Sequence, residues 1–298
     1  MSAEGFNYNK IDLNIQRLGY SGVNVKLILP PSLNFNKIPN KSVVVPFIEE
    51  NLPKVVEMIN TAKPYSFQEY LGYAMVWGIR ALSQGTYGIG ALYILNHEGQ
   101  EWLIAGRNGL ATDMDTSKHA EMDAIDAVES IARGEDTYKD RVILRRKARD
   151  NGNRKMIMTS LDPCPMCRVR IHNHNIPLVG VGNEDTFAGS MVGANADMMP
   201  PLWKIIMDAQ GTQVTLANDD PQNLAYIDPQ YLPIVKQMFE LNRDAIDKAL
   251  KEGTLSNVSD IKTIALGLMR MFGGGTKKDE MIFDRGIKAI RSAKTISR

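Results

Sequence analysis

The chain has 298 residues, with 35 Lys and Arg against 34 Asp and Glu, for a formal net charge of +1. That length can bury a full core, as one large domain or as a domain with additions, and 44% hydrophobic with 23% charged residues is ordinary for a soluble globular protein. The charge balance gives no global reason to bind a polyanion, and no apolar run approaches the roughly 18 residues of a membrane span. Met1–Gly5 offers neither a basic nor an apolar leader region, and two cysteines leave none for a disulfide framework. The expectation is no membrane partner and a reducing, cytoplasmic compartment.

Residues 1–63 read as an N-terminal extension. Val23–Leu29 alternates apolar residues with Asn and Lys until Pro30-Pro31 stops it, as a strand does. Val43–Val45 is a second short β-like run, and Leu52–Asn60 is helical with Pro53 in its first turn. From Ser66 to Leu82 the residues Tyr70, Met75, Val76, Ile79 and Leu82 keep a helical period, with Ser66 and Glu69 as a capping box. Gly85–Gly90 breaks that helix. Ile89–Leu95 and Glu101–Ala105 then read as two strands joined by a turn, in which His97 is a solvated loop residue.

Gly106–Lys118 is a loop leading into a helix that starts near His119, carries a small-residue face (Ala120, Ala124, Ile125, Ala127, Val128) and ends at Arg133-Gly134. Residues 134–154 form a connection whose basic run, Arg141, Arg145, Arg146, Lys147, Arg149 and Arg154, reads as a solvated face. Lys155–Ser160 is a strand, Cys164–His172 a helix that tolerates Pro165 in its first turn, Leu178–Val181 a strand, Pro201–Gln210 a helix and Gln213–Leu216 a last strand. This order predicts an α/β fold, a three-layer α/β/α sandwich with a mixed five-stranded sheet over 64–220. Residues 221–298 read as a C-terminal helical extension, with helices Leu232–Lys251, Val258–Phe272 and Met281–Lys294 and a flexible Gly273–Gly275 link.

Chemistry concentrates in His119-Ala120-Glu121 and Pro163-Cys164-Pro165-Met166-Cys167. One imidazole and two thiols can hold tetrahedral zinc with the fourth position open to water, a catalytic rather than a structural pattern. Both cysteines fall on the first turn of a helix, where the macrodipole favours thiolate. Zinc can bring the pKa of bound water from about 16 to about 7, and Glu121, beside the open position, can then act as general acid/base. Cys164-x-x-Cys167 also suits a thioredoxin-like redox site, but that reading leaves His119 and Glu121 without a role. A structural metal site would want a fourth ligand, and His172 and His174 sit at the far end of the helix, as caps.

Together these two stretches resemble the cytidine/deoxycytidylate deaminase superfamily, in particular the branch of bacterial tRNA adenosine deaminases and guanine deaminases. Asn108, eleven residues before His119, matches the branch's substrate-contacting asparagine. Ile171-His172-Asn173 and Ala188-Gly189-Ser190-Met191 are similar to its Ile-His-Ser and Ala-Gly-Ser segments. The resemblance covers about 64–217 and implies a cytidine deaminase-like fold, with His119, Cys164 and Cys167 on zinc and Glu121 as proton shuttle. Asn108, the Ala120 amide and Pro163 would contact substrate. It further implies an aminohydrolase that releases ammonia from a nucleobase, nucleoside or related small amino-heterocycle, as a homodimer or larger homo-oligomer. Two other readings stand beside it: deamination of adenosine in a tRNA loop through the basic run, and a catalytically silent binding module of the same fold.

Overall fold

The computed structural model describes residues 40–251 apart from 114, 116, 136, 139–140, 151, 153, 187, 193–208 and 210. The expected strand Val23–Leu29, the helices Val258–Phe272 and Met281–Lys294, and all of Pro201–Gln210 but Ala209 lie outside the described residues. The chain divides into two compact units, 1–246 and 247–298, and the sheet belongs to the first.

Helix α1 (Lys41–Thr61) replaces both the expected β-like run at Val43–Val45 and the later helix start at Leu52. Its buried residues Val44, Phe47, Ile48, Asn51, Leu52, Val55, Met58 and Ile59 keep one unbroken stripe through Pro46 and Pro53. The β-preference of three valines is small against the burial of a face with seven apolar residues. Helix α2 (Phe67–Ser83) is capped as its sequence predicts: Ser66 Oγ accepts the Glu69 amide hydrogen at 3.1 Å. The Glu69 carboxylate takes the Tyr65 amide hydrogen at 2.6 Å.

Strands β1 (Gly90–His97) and β2 (Gln100–Arg107) form the expected antiparallel hairpin, followed by α3 (Ala120–Ala132). The connection after α3 contains a strand that the sequence reading missed, β3 (Val142–Lys147), antiparallel to β2. β4 (Arg154–Thr159), α4 (Pro165–Asn173), β5 (Leu178–Val181) and β6 (Gln213–Leu216) complete one mixed sheet of six strands, not five, in the order β3-β2-β1-β4-β5-β6. β4 pairs antiparallel with β1, and β4, β5 and β6 run parallel. The last described helix is α5 (Leu232–Lys251).

Alternation along the strands sorts the core into two layers. Leu92, Ile94, Leu103, Ala105 and Met158 face α1, α2 and Met238 of α5, whereas Ala91, Tyr93, Ile104 and Ile157 face Ala120, Ala124 and Ile125 of α3 and Ile171 of α4. This is the three-layer α/β/α sandwich. None of the described helices is long and apolar enough to cross a membrane.

β3 escaped detection because its basic residues looked solvated. Instead Arg146 is buried, with its guanidinium on Glu69 (2.6 and 2.9 Å) and Glu101 (2.6 Å) and stacked over Tyr65. Arg141 is also buried, 2.8 Å from Asp123, and Arg145 lies over the Trp102 ring. The solvated-face reading holds for Arg145, Lys147, Arg149 and Arg154, which are exposed, and fails for Arg141 and Arg146.

Candidate metal centre

Two helix N-termini converge at the C-terminal end of β4. His119 is the N-cap of α3 and Cys164 the N-cap of α4, both with extended backbones that end the preceding loops. The first turn of α3 lies hard against β2. A Cβ on Gly106 would run into the Ala120 carbonyl and the Ala124 amide, so only glycine permits this approach. On the α4 side, Pro165 at the first helical position fixes the backbone and removes a donor that would otherwise be unpaired.

The result brings His119 Nδ1 to 3.5 Å from Cys164 Sγ and 3.4 Å from Cys167 Sγ, with the sulfurs 3.4 Å apart. Both cysteines are free; a disulfide would bring the sulfurs to about 2.05 Å. Zinc bonds of about 2.3 Å to sulfur and about 2.0–2.1 Å to nitrogen, arranged tetrahedrally, set ligands about 3.5–3.8 Å apart. The His-Cys-Cys trio fits that spacing, and among the described residues it is the group able to hold a metal ion.

Glu121 stands beside the trio without belonging to it. Its carboxylate accepts from the Cys167 thiol at 3.4 Å and from Thr159 Oγ at 3.2 Å, and only 3% of the residue is exposed. Burial raises its pKa, and the Cys164 sulfur raises it further. Contact with Cys167, reinforced by His119, lowers the Cys164 thiol to about 4, whereas burial pushes Cys167 well above its ordinary value.

The remaining expected site residues lie in the surrounding loops. Asn108 is buried; its Oδ1 accepts from Thr86 Oγ at 2.6 Å and from the Leu110 amide at 3.1 Å, and its Nδ2 has no partner among the described residues. The loop is tied to the α3 start by Gly109 N–H donating to Lys118 O at 2.7 Å. Ala120 is fully buried in the first turn of α3. Pro163 is buried too, and its carbonyl accepts from both the amide and the hydroxyl of Ser190.

Two supports went unread in the sequence. Thr159 holds Glu121, and Asp162 receives the Met191 and Val192 amide hydrogens, fixing the loop that follows β5. Burial raises Asp162 to about 7 despite those bonds, with Asp185 and Glu121 adding repulsion. Its place two residues before Cys164 was the available signal. Arg168 donates to the Ser190 carbonyl, and Arg170 pairs with Glu129 at 2.8 Å and Asp126 at 3.3 Å, so the α4 arginines knit the structure together.

An α/β/α sandwich thus presents three convergent His and Cys donors, with the Glu121 carboxylate beside them, a set able to hold zinc. Residues 68–183 match the family model described as the cytidine and deoxycytidylate deaminase zinc-binding region. No curated protein matches the sequence. Among solved structures, one from a study of A-to-I editing by tRNA:A34 deaminases is 20% identical, covering 44% of this chain and 88% of that one, with a TM-score of 0.34. A guanine deaminase from Nitrosomonas europaea is 16% identical, covering 63% and 93%, with a TM-score of 0.38. A dCMP deaminase from the cyanophage S-TIM5 is 16% identical, covering 52% and 99%, with a TM-score of 0.30.

Proposed function

We propose that the chain is a zinc-dependent hydrolytic deaminase that removes the exocyclic amine of a nucleobase, nucleoside or related amino-heterocycle as ammonia. The observation that carries this reading is the Glu121 carboxylate, buried beside the His119, Cys164 and Cys167 donors yet outside the trio. When bound, zinc supplies Lewis acidity at an open fourth position and brings water toward a pKa of about 7. His119, Cys164 and Cys167 hold the ion. Glu121 receives the water proton and delivers it to the ring nitrogen next to the amine-bearing carbon, and its burial favours the protonated form it passes through.

Asn108 orients the ring. Its Oδ1 is already engaged, so Nδ2 is the atom offered to a substrate acceptor. The Ala120 amide, at the open end of α3, and the Pro163 ring complete the contacts. The chemistry lies within 64–220, with 1–63 and 221–298 as additions, and the working form is a cytoplasmic homodimer or larger homo-oligomer. A small substrate is favoured over a tRNA loop because two members of the basic run, Arg141 and Arg146, are consumed inside the fold. The retained Glu121 argues against a silent module.

The test is an ammonia-release screen of zinc-loaded protein against purines, pyrimidines, their nucleosides and nucleotides, and triazines. Glu121→Gln is expected to keep its zinc and lose turnover by about 10²–10⁴-fold. Wild-type-like ammonia release by that variant would remove Glu121 from the mechanism.

A further inference from the structure

On the opposite face of the sheet and at its opposite end lies a cavity of about 270 Å³ that the deaminase reading does not use. The metal centre borders the Ala91–Thr159 pair, while the cavity borders the Asn96–Arg154 pair, five residues further along the same strands. At about 3.4 Å per residue the two are about 17 Å apart along the strands. Asn96 continues the row of Leu92 and Ile94, so it faces the α2 layer rather than α3.

Among the buried polar groups that line this cavity, Asn96 is left unsatisfied. It is only 4% exposed and lines the cavity, yet its Oδ1 has no hydrogen-bond partner, and its Nδ2 makes no bond among the described residues. Exchanging the two ends of the amide still leaves a buried polar atom unpaired. Such groups are rare in native interiors and point to something that completes them. An amide with both ends open matches a ligand edge bearing N–H beside C=O.

The rest of the wall narrows the class. Tyr65, Phe67 and Tyr70 supply aromatic surface suited to a flat ring. Glu101, the acidic lining residue, has both oxygens engaged, by Arg146 and by the Tyr70 hydroxyl, and so does not call for a cation. Arg149 lines the rim with no ion pair or hydrogen bond among the described residues, while Arg154 is paired with Asp150 at 2.9 Å. A cavity of this volume falls below the usual range for drug-sized ligands and suits a single ring.

We propose that this cavity is a second small-molecule site, separate from the metal centre, for a planar monocyclic carboxylate that carries an amide edge. Asn96 reads the edge, the aromatic side chains cover the ring and Arg149 meets the carboxylate.

Orotate, a pyrimidine ring with two amide-type N–H groups, carbonyls and one carboxylate, is the probe, and calorimetry on the full zinc-loaded chain is the measurement. Sub-millimolar binding is expected. Arg149→Ala should weaken orotate about tenfold while leaving uracil, which lacks the carboxylate, unchanged. Asn96→Leu should abolish binding and raise Tm by about 2–4 °C, because it removes an unpaired buried polar group. Stripping the metal with a chelator should leave orotate affinity unchanged, which separates this cavity from the zinc centre. No orotate binding, binding that survives Asn96→Leu, or binding lost with the metal would each overturn the proposal. Arg149 is an exposed side chain, so if Asn96→Leu does not fold, Arg149→Ala still decides: orotate affinity unchanged in that variant overturns the proposal as well.

Discussion

Replacing Arg146 with methionine tests the account of the buried network that anchors β3. The guanidinium makes three short charge-assisted bonds, two to Glu69 and one to Glu101, with all three side chains about 2% exposed. Methionine keeps most of the volume but leaves two buried carboxylates without their cation. Breaking a buried pair by removing one partner costs about 3–5 kcal/mol, which corresponds to a fall in Tm of about 6–20 °C for a unit of this size.

The cost should depend on pH. Burial raises Glu101 even in the native protein, with Arg146 opposing that rise. Without Arg146 the folded-state pKa climbs further above the unfolded value, so the folded state binds the extra proton. Stability from that proton is fully present below the unfolded carboxylate pKa of about 4.3 and is lost as pH rises through the folded value. The deficit of Arg146→Met should therefore be largest near pH 8 and shrink toward pH 5. Urea denaturation followed by circular dichroism, run on both proteins across that range, measures it. A loss below about 1 kcal/mol, or a deficit that stays flat with pH, would refute the reasoning, because an exposed and screened pair behaves that way.

Three further outcomes follow from other parts of the structure. Zinc must displace the proton that burial holds on Cys167, so apparent affinity should rise about tenfold per pH unit between about pH 7 and 8.5; competition against a chromophoric chelator would expose a flat profile. Gly106→Ala should drive the start of α3 off β2 and move His119, lowering zinc affinity by about 10–100-fold, and native affinity in that variant would show that the close approach is dispensable. Pro46 is exposed in the interior of α1, where it removes a hydrogen bond to the carbonyl four residues earlier. Pro46→Ala should stabilise the fold by about 1–3 kcal/mol in thermal melts, and an unchanged or lower Tm would mean that proline's restriction of the unfolded chain outweighs the lost bond.

The metal centre was legible because its logic is local. His119 and Glu121 share one helix start, Cys164 and Cys167 share another, and zinc chemistry restricts which residue types can stand at those spacings. The capping of α2 by Ser66 and Glu69 was legible for the same reason: donor and acceptor lie three residues apart. Glu121 could be assigned a part in the chemistry, but not its anchorage. The Thr159 hydroxyl that holds it comes from a strand 38 residues away.

What the sequence determined by itself was therefore the alternation of helices and strands, the donor set and the free carboxylate, all of which depend on neighbours within one turn or one hairpin. What only the tertiary structure decided was whether a charge lies inside or outside. Arg146 in β3 and Asn96 in β1 look solvated when read along the chain. One is buried because Glu101 meets it from the neighbouring strand and Glu69 from α2, and the other because α2 begins above it. The reason is physical. Desolvating a polar group depends on what the fold packs around it from distant segments, and no local period encodes that.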